Sequence, residues 1–280
     1  LSSIGLFCAQ CAALPYRDMR LSSGGWAETM GGLSLIQILV AVLATLAGST
    51  VLASLGFGIG MVATPFLLLV LDPQTAVVMI NAVSVPITAM LVWQTRHHLR
   101  FRETLPIALL GLAGALLGAY VLSTSGERVL RLSIVVLIVI LAAATAFNPS
   151  SLQNKIPYPK VVGGIIGFIV GLMLGSLAIG GPLLVLFILS QGWGRHSLRA
   201  SMSLYLFVIM TSSTLGYIPT GLFTHERLLL VLLALPPVFI GFWLGSRVAT
   251  RMNEILFRRV AIGVIVASGI SVLVREISTI

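Results

Sequence analysis

Ten apolar runs separated by short polar loops leave this 280-residue chain a single environment in which to fold. A helix of about 20 apolar residues spans a bilayer, because in hydrocarbon every backbone group must find its partner within the segment. The runs are A at about 34–54, B at 57–71, C at 75–95, D at 105–122 and E at 129–147, then A′ at 161–175, B′ at 179–190, C′ at 200–221, D′ at 228–246 and E′ at 256–274. Only 9% of the residues are charged, and the mean hydropathy is +1.07. The net charge of +9 would suggest nucleic acid in a soluble protein. Here the basic residues sit between the runs, so they report topology, and the lipid bilayer is the partner. The expected fold class is an all-α polytopic membrane protein with no soluble domain and no nucleic-acid contact.

Runs B and B′ are short for spans, and each follows a break in helix-forming sequence. The stretch Gly56-Phe57-Gly58-Ile59-Gly60-Met61-Val62-Ala63-Thr64-Pro65 returns about 117 residues later as Gly175-Ser176-Leu177-Ala178-Ile179-Gly180-Gly181-Pro182. Glycine admits positive φ, and proline is tolerated only in a helix's first turn, so each stretch predicts a break followed by a fresh start. On this register helix B starts near Thr64-Pro65 and B′ near Gly181-Pro182. Non-helical backbone survives at bilayer depth only where it is buried in protein or lines a cavity, and paired interruptions in two halves mark a transport site.

The halves match elsewhere too. Gly114 to Gly118 in D corresponds to Gly241 to Gly245 in D′, and Glu127 to Arg131 parallels Glu254 to Arg258, at a constant offset of 127. The Gly-x3-Gly pairs read as close helix packing. An odd number of spans per half turns the second half upside down. With all ten segments crossing, eleven basic residues share one face: Arg96, Arg100, Arg102, Lys155, Lys160, Arg195, Arg199, Arg247, Arg251, Arg258 and Arg259. Six lie on the other: Arg17, Arg20, Arg128, Arg131, Arg227 and Arg275. Counting A–B and A′–B′ as single crossings removes this bias. The positive-inside rule therefore selects two inverted repeats, with both termini on the non-cytoplasmic side. The expected organisation is an N-terminal extension at 1–33, disordered or not native with Met30 a natural start, a first repeat at 34–147, a cytoplasmic linker at 148–160 and a second repeat at 161–274.

The two broken hairpins are expected to meet near the midplane and to present helix N-termini to one cavity. Free N–H groups and the positive end of the helix dipole bind small anions without a buried arginine. The candidate substrate-binding residues from the breaks are Gly58, Gly60, Thr64, Pro65, Ser176, Gly180, Gly181 and Pro182. Asn81 joins them because an amide in an apolar run is costly unless paired, and Ser201 and Ser203 occupy the similar start of C′. Leucine at Gly60 or Gly181 is expected to abolish anion binding and leave folding intact. The other polar span residues, among them Thr50, Ser54, Ser84, Thr88, Tyr205 and Thr211 to Thr214, include helix bridges. Asp72-Pro73 reads as a turn or cap, and His97-His98 as interface residues, with a proton carrier and a pH sensor as the rival roles.

Other chemistry finds little support. No carboxylate or histidine cluster falls within a span, so no metal is expected. No nucleophile, base and orienter converge, no phosphate-binding Gly-x4-Gly-Lys-Ser/Thr occurs, and no cofactor or enzymatic activity is expected. Cys8-Ala-Gln-Cys11 is a lone pair in the extension.

The doubled Gly/Pro break, the Trp193-Gly194 to Arg199-Ala200-Ser201 stretch after B′ and the Gly-x3-Gly ends of D and D′ resemble the TauE/SafE family of sulfite exporters, across about residues 34–274. The resemblance implies an inner-membrane transporter with two repeats for small sulfur-containing anions such as sulfite, sulfoacetate or another organosulfonate. The expected function is a secondary transporter, an exporter of such an anion, working by alternating access. An anion channel, an uptake carrier for another small anion and a membrane-embedded sulfur-relay subunit using Cys8 and Cys11 are the alternatives. Substrate identity, direction, coupling ion and homo-oligomerisation stay open at this point.

Overall fold

Helix starts and stops follow the local chemistry of caps and prolines. The structure, a computed structural model, describes residues 35–130, 132–134, 136–137 and 159–251. The extension at 1–33, most of E and of the linker, and E′ lie outside the described residues. Helix α1 (Leu35–Leu55) and α2 (Ile59–Leu67) form the first broken pair. Next comes α3 (Pro73–Thr95), a 3-10 turn (Arg96–His98) and α4 (Phe101–Thr124), with further helical residues from 127. The second half gives α5 (Pro159–Leu177), α6 (Gly181–Ser190), α7 (Arg195–Tyr217) and α8 (His225–Arg251). Asp72 is the N-cap of α3, its Oδ2 accepting from the Thr75 N–H at 2.9 Å with Pro73 in the first turn, so its reading as a cap holds. All regular structure among the described residues is helical, and α1, α3, α4, α7 and α8 are long and apolar enough to cross a membrane. The protein is an all-α polytopic membrane protein.

Packing separates centre from rim. The apolar windows of α3 and α7 are 67% and 56% buried, against 33%, 44% and 39% for α1, α4 and α8, so the first two form the central pair. The rim helices turn Leu39 and Leu43, Leu116 and Tyr120, and Phe239 and Ile240 outward, as a lipid-facing surface requires.

Each Gly-x3-Gly pair packs on the first helix of the other half. A Cβ at Gly114 would overlap the Phe168 carbonyl, and one at Gly118 the Leu172 carbonyl, so α4 runs parallel to α5 in backbone contact. Gly241 and Gly245 meet the Leu46 and Thr50 carbonyls in the same way, joining α8 to α1. Phe168 and Leu46 are 122 residues apart, as are Leu172 and Thr50. Contacts made by equivalent residues of the two halves are thus equivalent too. The halves interlock, since each supplies the helix against which the other closes.

The loops gather at two ends. At one, His98 and His196 stack edge to face at 5.0 Å, Arg100 lies over Trp193 at 5.1 Å, and Thr95 and Ser203 share a hydrogen bond of 3.1 Å. Arg96 over Trp93 and Arg247 over Trp243 lie at 4.1 and 3.5 Å, and form an Arg–Trp layer suited to a membrane interface. At the other end Arg227 ties the two halves together. Its Nε donates to Thr75 Oγ1 at 2.8 Å, its Nη1 to the Leu222 carbonyl at 2.9 Å and its Nη2 to Asp72 Oδ2 and Gln74 Oε1 at 3.4 Å. We expect Arg227→Gln to lower unfolding free energy by about 1–3 kcal/mol, since several of these bonds lose their donor. Thermal unfolding in detergent reads this directly. Asp72→Asn should change it far less, because the carboxylate is half exposed and its ion pair is screened.

Candidate functional site

The two breaks are built alike but not in the register the prolines suggested. Helix α1 stops at Leu55 and α5 at Leu177, while α2 starts after Gly58 and α6 after Gly180, so both boundaries are 122 residues apart, not 117. Gly56 and Gly58 take φ of +87° and +104°. The residue equivalent to Gly56 is Ala178, which holds φ of +57° against a Cβ penalty of roughly 1–2 kcal/mol. Proline misled the register because only Pro182 opens a helix. Pro65 lies inside α2, whose start is six residues earlier at Ile59, so the expected start at Thr64-Pro65 is corrected. Apolar surroundings tolerate such an interior proline when neighbours satisfy the freed carbonyl.

The breaks touch. A Cβ on Gly60 would overlap the Ala178 carbonyl oxygen, so no side chain fits there, and the expectation that Gly60→Leu leaves folding intact does not survive. Gly181 is roomier, its Cβ position lying 3.2 Å from Phe57 Cβ. Neither helix start has a side-chain cap: the Val62 N–H reaches the Gly58 carbonyl at 3.1 Å, leaving the N–H groups before it without an intrahelical acceptor, and the Leu183 N–H reaches Gly180 at 3.2 Å.

A small cavity of ≈ 10 Å³ lies between the breaks, about the room one ordered water takes. It is lined by Leu52, Gly58, Ile59, Gly60, Met61, Ser84 and Thr88 of the first half and Leu174, Ala178, Ile179, Gly180, Gly181, Leu206 and Met210 of the second. Five pairs in this wall are 122 residues apart: Leu52 and Leu174, Gly58 and Gly180, Ile59 and Gly181, Ser84 and Leu206, Thr88 and Met210. The cavity is therefore walled by corresponding positions of the two halves.

Sequence comparison agrees with this architecture, the profile of the family described as sulfite exporter TauE/SafE matching residues 40–272. The chain belongs to the TauE/SafE family. It is a membrane transport protein, and the profile covers both breaks and the whole cavity wall. No curated protein and no solved structure matches it. Among the described residues of this TauE/SafE protein no group of three His, Cys, Asp or Glu side chains could hold a metal ion.

Of the residues singled out from the sequence, Gly58, Gly60, Gly180 and Gly181 line the cavity. Thr64, Pro65 and Pro182 are buried within α2 and α6 outside its wall, and Thr64 Oγ1 has no hydrogen-bond partner. Ser176 donates to the Leu172 carbonyl at 2.7 Å, and Ser203 to Ala200 at 2.8 Å. Ser201 Oγ is buried without a partner. Asn81 is a bridge: its Nδ2 donates to the Leu174 carbonyl at 3.1 Å and to the Tyr217 hydroxyl at 2.5 Å, and Tyr217 donates onward to Gly175 at 2.6 Å. Asn81 and Ser203 are 122 residues apart, and so are their partners Thr95 and Tyr217, which makes these two bonds a related pair. We expect Asn81→Leu to destabilise the protein by about 2 kcal/mol by removing two buried hydrogen bonds, to the Leu174 carbonyl and the Tyr217 hydroxyl, readable in thermal unfolding.

Ser84 and Thr88 line the cavity and were not singled out as binding residues. The register of 122 that relates them to their counterparts emerges from the helix boundaries of the fold. Registering the halves at 122 places the serine and threonine, one helical turn apart, opposite Leu206 and Met210.

Proposed function

We propose that the protein is a secondary transporter that exports a small sulfur-containing anion, such as sulfite, sulfoacetate or another organosulfonate, by alternating access around the cavity between the breaks. The observation that carries this reading is the cavity wall itself, made of equivalent positions from both halves and including two uncapped helix starts. Backbone N–H groups and helix dipoles supply the positive potential an oxyanion needs. A cavity of ≈ 10 Å³ is too small for such an anion, so the site must widen to admit one, which favours a carrier that changes shape over a continuous open channel. Inverted repeats are supported by the meeting of the C–D and B′–C′ turns at His98 and His196, since a non-inverted pair would put them at opposite ends. On that topology both termini face away from the cytoplasm and the Arg-rich end faces inward, as in an inner membrane. Export of an anion then runs with the inside-negative potential, worth roughly 2.3 kcal/mol per charge per 100 mV.

Thermal stabilisation by an anion panel tests the reading. A ligand bound only by the native state raises its melting temperature with the logarithm of concentration over dissociation constant. Stabilisation by sulfite or sulfonates and not by simple carboxylates is expected; indifference to every sulfur oxyanion would refute it. Gly181→Ala, which crowds Phe57 without meeting backbone, should weaken the response.

A further inference from the structure

The wall of the cavity between the breaks is uncharged, and its two halves differ where a ligand would be read. We infer that the site accepts a monoanion, a sulfonate or bisulfite, with its oxygens toward Ser84 and Thr88 and its less polar flank toward Leu206 and Met210. This rests on the transport reading above and deepens it.

Charge comes first. No ionisable side chain is in the wall, and the Arg199 guanidinium, though the residue packs on Gly56, directs its Nη2 to the Ala53 carbonyl at 2.5 Å. An anion entering the cavity gives up hydration and receives only dipoles in return. The desolvation cost grows with the square of the charge, while stabilisation by fixed dipoles grows in proportion to it. A second negative charge therefore loses more than it gains, so sulfate, thiosulfate, fully deprotonated sulfite and doubly charged sulfoacetate are disfavoured, which narrows the transport reading to bisulfite and singly charged sulfonates.

Shape comes second. A symmetric pair of repeats would give a tetrahedral anion the same surroundings on both sides of the cavity. Here Ser84 and Thr88 face their counterparts Leu206 and Met210, so one side can donate hydrogen bonds and the other cannot. Both hydroxyls now donate within α3, Ser84 to the Ile80 carbonyl at 2.5 Å and Thr88 to the Ser84 carbonyl at 2.7 Å. Each exchanges that bond for a ligand oxygen by rotating about χ1, at little net cost. Methanesulfonate, with three oxygens and one methyl group, matches this division and sulfate does not.

Sulfite takes up a proton near neutral pH, whereas methanesulfonate stays a monoanion throughout, which makes the two a controlled pair. Dissociation constants of purified protein for methanesulfonate, sulfite and sulfate are measured from mildly alkaline to mildly acidic buffer. Sulfite affinity is expected to rise in step with its protonated fraction, with methanesulfonate flat and sulfate at least about tenfold weaker than methanesulfonate, a difference of about 1.4 kcal/mol. Ser84→Ala with Thr88→Val should weaken methanesulfonate about tenfold or more, and Leu206→Ser with Met210→Thr should shift the ratio toward sulfate. Equal affinity for sulfate, or a ratio unmoved by the second pair, overturns the inference and leaves the transport reading standing. Binding of none of the three overturns both.

Discussion

Gly60→Ala is expected to prevent native folding, at a cost above about 4 kcal/mol, because its Cβ would meet the Ala178 carbonyl where neither backbone can retreat without opening the pair of breaks. Backbone strain already present at Ala178 leaves that turn little freedom to adjust. Expression followed by size-exclusion chromatography in mild detergent is the measurement, with loss of the monodisperse peak as the expected result. Gly126→Ala is the control, since nothing lies within 4 Å of its Cβ position and the variant should elute as the wild type does. A monodisperse, transport-active Gly60→Ala protein would mean that the breaks do not meet as described.

The second large effect comes in a matched pair. Gly118→Ala and Gly245→Ala each place a methyl group into a carbonyl of the other half's first helix, Leu172 and Thr50 respectively. Both should destabilise by about 3 kcal/mol or more, because overpacking against backbone cannot be relieved by a rotamer change. Thermal unfolding should place the two variants within a few degrees of each other. One variant crippled and the other neutral would show that the halves are not equivalent where they interlock.

Much of this was legible in the sequence because apolar length and glycine spacing act locally. Helix α1 runs from Leu35 to Leu55 and α6 from Gly181 to Ser190, close to the segments read from apolar runs at 34–54 and 179–190. The Gly-x3-Gly pairs fell where small residues let helices approach, and the structure adds which helix each one meets. The register of the breaks was misread because Pro65 and Pro182 look equivalent on paper, while the backbone is set by Gly56, Gly58 and their counterparts Ala178 and Gly180. A positive φ at an alanine carries no sequence signal. Asn81 was expected among the binding residues because a buried amide needs a partner; its partners here are Leu174 and Tyr217, 93 and 136 residues away, which no local pattern discloses. Ser84 and Thr88 were visible as hydroxyls within a span; only the tertiary arrangement shows which of many such hydroxyls reach the cavity.

Counterflow in proteoliposomes tests the central claim most directly, that one occludable site between the breaks carries a sulfur oxyanion from face to face. Vesicles preloaded with unlabelled sulfite are diluted into a trace of labelled sulfite, and internal label is followed over time. The account predicts transient accumulation above equilibrium that saturates with external sulfite and is reduced in Gly181→Ala. Linear, unsaturable equilibration, or no uptake above protein-free vesicles, would contradict it.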